Sequence, residues 1–385
     1  MRVLITTRRG AGHFGPLVPF AQAFRRAGDG VMVAAPHSAA AMVRGVGLPF
    51  WGFDDPPAER EAVYSSLDGL TDDQKNAIVL GELFARLDAR AALPGVLDAC
   101  AQWRPHLVLR ETCEFAGYLA AERRDIPHAR VGIGLGSSED FISDIVTGVL
   151  GELRAELGLS ADPGGERRHA APFLTLTPRA MEDPAAPGPP GALRFRELNP
   201  GTSNGLPAWW PGDDRPLVYL TFGSVAPTME LFPSLYQAAI DALADLPVRV
   251  LVTVGRDRDP ADLGPVPDNV HAERWVPQRQ VMPHASAMVC HGGFGTLRLG
   301  LTSGVPLVVL PLFADQPHNA RRVDQLGAGI ALERGPDGVS GLAQAVETVV
   351  GDASYRTAAG YVAAEVRMLP PVEGAPYVLR GLLDV

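Results

Sequence analysis

Three sets of residues in this 385-residue chain have the types and spacing to do chemistry. The first is His13, in the stretch GAGHFG, with Glu111 at the end of HLVLRE. An exposed imidazole with an ordinary pKa near ~6.5 can take a proton from a hydroxyl. A carboxylate on its other ring nitrogen would fix the tautomer and raise its basicity. Glu111 closes an apolar run that ends on the same sheet edge, which makes it the natural partner; the alternative is an ordinary ion pair with Arg110 or Arg8. The second set is HGGFGT, His291–Thr296, between an apolar run and a helical pattern. Gly292, Gly293 and Gly295 would let an anion approach the backbone, exposed N–H groups at a helix start favour negative charge, and His291 and Thr296 add donors. A tight turn alone needs fewer glycines. The third set is Asp315-Gln316, after the apolar GVPLVVLP. A carboxylate beside an amide can accept from and donate to vicinal hydroxyls, as holding a sugar requires, while the competing reading makes Asp315 a helix N-cap.

Smaller signals accompany these. RWVPQ precedes the HGG loop, with Trp275 offering a flat apolar face, Val276 beside it and Gln278 a hydrogen-bonding group; core packing is the alternative for the indole. Gly223 and Ser224 end the run PLVYLTFGS and could add a phosphate donor or form a plain turn. GAGHFG matches G-x-G-x-x-G after a strand, but the next strand ends VAAPHS, without the acid a dinucleotide ribose requires, so NAD binding is set aside. Asp257-Arg258-Asp259 could suggest a metal-binding D-x-D; its alternating charges before Pro260 read as a solvated loop, and no metal is expected.

These residues need a scaffold. RVLITT, GVMVAAP and HLVLRE read as buried strands separated by helical patterns, with Leu17, Phe20, Ala21 and Phe24 at helical spacing and Gly28 closing the segment. The helix after the first strand is expected to begin at Pro16, with GAGHFG as a loop. Such alternation predicts α/β structure with doubly wound parallel sheets. It weakens in the Pro/Gly-rich region before residue 216 and restarts with PLVYLTFGS, predicting a linker near 201–215 and two domains, 1–205 and 206–369. Ligands of open parallel sheets bind beyond the strands' carboxyl ends, so two facing sheets would put both glycine stretches at a central cleft.

Composition bounds the rest. Hydrophobic residues make up 46%, enough for two cores, and the net charge of −10 argues against a nucleic-acid partner. Three cysteines, Cys100, Cys113 and Cys290, fit no zinc spacing and read as buried thiols of a reducing cytoplasm. No apolar run reaches the ~18 residues of a membrane span, and no signal peptide is expected.

GAGH, RWVPQ, HGGFGT, GVPLVVLP and DQPHNARRV, in that order, resemble family 1 glycosyltransferases of the GT-B type, with two Rossmann-like domains, and among them the actinobacterial enzymes that glycosylate antibiotics and other natural products. The resemblance covers nearly the whole chain. It implies an inverting transferase with His13 as general base and Glu111 as its partner, in which Trp275, Val276 and Gln278 take the nucleoside. Gly223, Ser224, His291, Gly292, Gly293, Gly295 and Thr296 would surround the diphosphate, and Asp315 and Gln316 would hold the sugar. Segment 370–385 would pack back on the first domain. Phe53, Tyr64, Phe84 and Phe141 are candidate acceptor walls, with ordinary core as the competing reading for each. Three departures are informative. The region around Arg8-Arg9 is usually small and apolar, and these arginines could face the acceptor, the phosphates or solvent. The dyad acid of the family is usually Asp, not Glu. UDP-sugar relatives carry a Glu eight residues after the loop histidine, where this chain has Leu299, which favours a dTDP-deoxysugar. Nucleotide sugar and hydrophobic acceptor are the expected partners, with no cofactor besides that co-substrate; a homodimer stays open, as do a UDP-sugar donor, C-glycosylation, a nucleotide-sugar epimerase or hydrolase, and a non-catalytic nucleotide-binding helper.

Overall fold

The computed structural model describes residues 1–67, 69–197 and 214–383. The chain forms two compact units: Met1–Thr177 with Glu182–Leu198 and Leu369–Val385, and Pro178–Met181 with Asn199–Met368. Most of the linker expected at 201–215 lies outside the described residues.

The first unit holds seven parallel strands: β1 (Arg2–Thr6), β2 (Gly30–Pro36), β3 (Phe50–Phe53), β4 (Leu107–Glu111), β5 (His128–Val131), β6 (Phe173–Thr175) and β7 (Leu193–Arg194). Their spatial order is β3-β2-β1-β4-β5-β6-β7. The strands read as near-continuous apolar runs because helices cover both faces, as parallel crossovers require. One face packs Leu107, Leu109, Ala129 and Val131 against Phe20, Ala21 and Phe24 of the helix Val18–Arg26. On the other, Leu4, Ala34 and Val108 pack with Val96, Ala99 and Cys100 of the helix Ala89–Trp103. The C-terminal helix Ala375–Leu383 belongs to the first of these layers through Ala375 and Leu379, and Arg380 pairs with Asp29 at 2.6 Å.

The second unit holds β8 (Leu217–Thr221), β9 (Arg249–Thr253), β10 (Val270–Glu273), β11 (Ala285–Cys290), β12 (Leu307–Val309) and β13 (Gly329–Ala331), all parallel, in the order β10-β9-β8-β11-β12-β13. Tyr236, Ile240 and Leu243 from the helix Ser234–Leu243 and Leu342, Val346 and Val349 from the helix Leu342–Gly351 close one face. Each sheet is thus a doubly wound Rossmann-like layer in which the strand order reverses once. That reversal lies between β1 and β4 in the first sheet and between β8 and β11 in the second. At such a point neighbouring crossovers leave in opposite directions and open a crevice beyond the strand ends.

One sequence expectation changes here. GAGHFG is not a loop ahead of a helix beginning at Pro16. Ala11–Phe14 is already a helical turn, followed by a 3₁₀ turn Gly15–Leu17 and then the helix proper.

Candidate functional site

The first constellation sits at the reversal point of the first sheet. After β1, Gly10 takes φ +123°, a conformation that side-chain-bearing residues rarely adopt, and this turns the chain sharply into Ala11–Phe14. The turn carries His13 back over the end of β4. His13 Nδ1 lies 2.8 Å from Glu111 Oε1, and Glu111 Oε2 accepts from the Cys113 backbone N–H at 2.5 Å. Glu111 is fully buried, while the His13 side chain keeps 22% exposure. The carboxylate is therefore held at both oxygens, and the imidazole presents Nε2 outward. The extra methylene of Glu over Asp does not prevent the dyad.

Further side chains flank it. Arg8 Nη1 stands 3.4 Å from His13 Nε2. Arg8 Nε and Nη2 donate to Asp88 Oδ2 at 3.0 and 2.5 Å, and the guanidinium lies over the Phe84 ring. Phe84 meets His13 edge-on, with ring centres 5.7 Å apart. Asp88 also takes Arg60, whose Nη2 donates to the Tyr64 hydroxyl at 2.9 Å. Phe84 and Asp88 both come from Val79–Asp88, a π-helical stretch, a form that recurs at functional sites because its wider turn re-aims side chains. Of the four candidate acceptor walls, Phe84 and Tyr64 therefore join the dyad's surroundings. Phe141 lies on a separate helix, Ser138–Glu156, and is 39% exposed. Phe53 is a correction: it is buried among Leu4, Ala34, Ala92 and Val96, and a Cβ added at Gly95 would come within 2.5 Å of its own Cβ, so it is core beneath a close helix.

The second constellation occupies the reversal point of the second sheet. Gly223 follows β8 with φ +76°, and His291 follows β11. A Cβ at Gly223 would lie 2.5 Å from His291 Cε1, and one at Gly293 would lie 2.3 Å from Nε2. The two glycines thus clamp the ring from either side. The imidazole is buried, and burial pushes its pKa down to about 4 against a backbone hydrogen bond at Thr221, so it is uncharged at neutral pH. Gly292, at φ +81°, brings the turn against Val309 and the backbone of Gln316. Gly293 is the N-cap of the helix Phe294–Thr302 and has no side chain to cap it. The Thr296 and Leu297 amides turn back to the Gly293 carbonyl, which leaves those of Phe294 and Gly295 aimed outward. Gly295 is exposed, and a Cβ there would meet nothing within 4 Å, so its bareness is not a packing requirement of this chain. An approaching anion is one physical reason for it.

Around this turn, Ser224 is exposed and Val276 is buried. Gln278 opens the short helix Gln278–Val281. Trp275 is 47% exposed, with the Arg256 guanidinium 3.8 Å from its ring centre, so one indole face carries a cation. Asp315 occupies the N-cap position of the helix Gln316–Gln325 without capping it, and its Oδ2 accepts instead from Asn319 Nδ2 at 2.8 Å. Asn319 Nδ2 also reaches the Gly292 carbonyl at 2.9 Å, tying the acid to the anion turn. Gln316 is buried, and its Oε1 accepts from the Leu312 and Phe313 amides at 2.8 and 3.0 Å. Its carbonyl end is thus committed to its own loop, leaving the amide nitrogen as the donor end. Leu299 is buried on the inner side of the helix Phe294–Thr302. Asn319, Asp88 and Arg60 were not singled out from sequence. The i, i+4 spacing of Asp315 and Asn319 was the one signal available for any of them.

Among the described residues, no cluster of His, Cys, Asp and Glu could hold a metal ion, and no helix is long and apolar enough to cross a membrane. The arrangement offers a hydrogen-bonded imidazole–carboxylate pair on the first unit and a glycine-lined, uncapped helix start on the second.

Known proteins share this chain's sequence pattern and fold. Residues 73–177 match the N-terminal domain of the erythromycin biosynthesis protein CIII-like family, and residues 237–377 match its C-terminal domain. The chain is 32% identical to the L-demethylnoviosyl transferase of Streptomyces niveus, over 92% of this chain and 91% of that protein. Among solved structures, the glycosyltransferase SnogD from Streptomyces nogalater superposes with a TM-score of 0.78 at 28% identity, covering 100% of this chain and 99% of the other. The Streptomyces sp. SF2575 glycosyltransferase SsfS6, complexed with thymidine diphosphate, gives 0.79 at 28% identity and 99% coverage of both.

Proposed function

We infer the reaction from one premise: this chain belongs to the erythromycin-CIII-like branch of the family 1 GT-B glycosyltransferases, the enzymes of antibiotic and natural-product glycosylation. We propose that it moves a deoxysugar from a dTDP-sugar to a hydroxyl of a hydrophobic aglycone or glycoside with inversion, using His13 as general base. The observation that carries this reading is the His13–Glu111 pair at 2.8 Å with Nε2 outward. The bound thymidine diphosphate of SsfS6 and the apolar Leu299 support the donor assignment.

In the proposed step the acceptor oxygen attacks the anomeric carbon while Nε2 takes its proton. The bond from that carbon to the diphosphate oxygen breaks in the same displacement, and the anomeric configuration inverts. Glu111 stabilises the imidazolium that forms. The departing diphosphate gathers negative charge at the amides of Phe294 and Gly295, the hydroxyl of Thr296 and the helix N-terminus, fixed dipoles that cost no reorganisation. His291, uncharged and packed between Gly223 and Gly293, holds the turn in place. Asp315, tied back by Asn319, and the amide of Gln316 are assigned to the sugar, and the free face of Trp275 to the base.

The test is a thermal-shift panel of dTDP, UDP, GDP and NAD, followed by transfer assays with His13→Ala. Selective stabilisation by dTDP is expected. The His13→Ala variant should lose at least ~100-fold in turnover with dTDP stabilisation intact, because general-base help contributes roughly 10²–10⁴. Equal stabilisation by UDP, or wild-type turnover in the variant, removes the corresponding half of the reading.

A further inference from the structure

Arg8 is an unexpected neighbour for a general base. A guanidinium donates hydrogen bonds and accepts none, so the nitrogen facing it must carry a lone pair. At 3.4 Å from Arg8 Nη1, His13 Nε2 is therefore the unprotonated nitrogen, and Nδ1–H donates to Glu111. A cation there also opposes the imidazolium that base catalysis creates. In a site for an ordinary alcohol this placement would work against the reaction.

Arg8 is nonetheless held firmly. Two of its N–H groups fork onto Asp88 Oδ2, and its flat face rests on Phe84. The Arg8 side chain is 12% exposed. The group left to face the site is Nη1, and its separation from Nε2 is too long for a strong N–H···N bond. A separation of 3.4 Å does suit one oxygen bonded to both nitrogens at ordinary lengths near ~2.8 Å, the three atoms forming a triangle. Arg8 and Arg60 both pair with Asp88, and Glu111 with His13, while Arg110 and Glu114 lie buried beside Glu111. A proton passing from acceptor to His13 leaves an anionic oxygen beside one cation made by the transfer and one already there.

We propose that Arg8 Nη1 and His13 Nε2 hold the same acceptor oxygen, and that the site is built for an acidic hydroxyl, a phenol or enol, whose oxyanion Arg8 stabilises. This rests on the general-base reading above and narrows its acceptor class. A phenol ionises near ~10, within reach of a cation and a base acting together. An aliphatic hydroxyl, nearly as weak an acid as water, is not; it gives up its proton only as the new bond forms and gains little from a waiting guanidinium.

The experiment follows the ionisation of 4-nitrophenol and 4-methylumbelliferone on the dTDP-loaded protein by phenolate absorbance, without any transfer. Arg8→Met is compared with Arg8→Met/Asp88→Asn, which also removes the counter-ion and so keeps the buried charge balanced if the single variant folds poorly. The wild type is expected to lower the bound phenol's apparent pKa by at least about one unit, a tenfold change in ionisation ratio. Both variants should lose the shift while dTDP stabilisation stays the same. In transfer assays the variants should lose at least tenfold in kcat/KM toward 4-nitrophenol and under threefold toward 4-nitrobenzyl alcohol. No shift in the wild type, an unchanged shift in the variants, or equal losses on both acceptors overturns the proposal. A shift without transfer to any acceptor would retain the Arg8 contact and count against the transferase reading.

Discussion

Replacing Glu111 by Gln tests the dyad most sharply, because the structure dictates which way the new amide must point. Glu111 Oε2 accepts the buried Cys113 N–H at 2.5 Å. The amide must leave its oxygen there, since turning its NH₂ toward another N–H would bury two donors face to face, at roughly 1–3 kcal/mol. Its NH₂ group then meets His13 Nδ1, now 2.8 Å from a carboxylate oxygen. Nδ1 must become the acceptor, which moves the ring proton to Nε2. The outward nitrogen then no longer has the lone pair that takes the acceptor's proton. The wrong-tautomer effect in the serine-protease triad, where Asp→Asn costs about 10⁴ in kcat, bounds the expectation from above. Because His13 is partly exposed, a loss of roughly 10²–10⁴ in kcat is expected, or about 3–5 kcal/mol of transition-state stabilisation. Initial rates measure it, and ¹⁵N chemical shifts of His13 report the tautomer. Folding stability should fall by up to roughly 1–3 kcal/mol, because the Cys113 acceptor and the packing volume are kept while Nε2–H comes to face the Arg8 guanidinium. A variant within threefold of wild type, or one that loses activity with Nδ1–H retained, would refute the reasoning.

Gly223→Ala should destabilise the protein by about 3 kcal/mol in urea unfolding. A Cβ there needs a left-handed backbone, costing ~1–2 kcal/mol, and also strikes an imidazole already blocked on its far side by Gly293. Calorimetric dTDP affinity should fall at least tenfold with it. Burial holds His291 near 4 in the fold, below its ordinary 6.5, so its contribution is complete above pH 6.5 and is lost as pH falls toward 4. The difference in unfolding free energy between pH 7 and pH 5 should therefore be smaller in His291→Gln than in wild type; an equal difference would mean His291 is accessible to protons in the fold. Phe53→Ala should cost ~3–5 kcal/mol in unfolding free energy while leaving acceptor KM unchanged, separating core from acceptor wall. A raised KM at unchanged stability would return Phe53 to the site.

What could be read ahead of the structure follows from how each site is made. The proposed anion cradle consists of backbone amides at a helix start, and the only side-chain information it needs is where Cβ atoms must be missing. The spacing of Gly292, Gly293 and Gly295 after an apolar strand carries that locally, and so does Gly223 after another. The dyad was legible for a related reason: His13 and Glu111 each follow a recognisable strand, and the order of parallel right-handed crossovers brings those two strand ends together at the reversal of the sheet. The misplaced residues depend on contacts that no local pattern records. Phe53 ends a strand as an acceptor wall would, and only the bare Gly95 pressing on it from another element shows that it faces inward. The Arg8–Asp88–Arg60 cluster requires Val79–Asp88 to wind as a π-helix, a change of period that helical spacing in the sequence does not announce. Gln316 turned its carbonyl to its own loop, a local competition open to any amide beside unpaired backbone N–H groups. The glycine-lined turn of the second unit is therefore specified by short segments, and the surroundings of the His13–Glu111 pair by long-range packing. On the proposed reading, a change of acceptor runs through distant side chains such as Arg8 while the glycine turn stays the same.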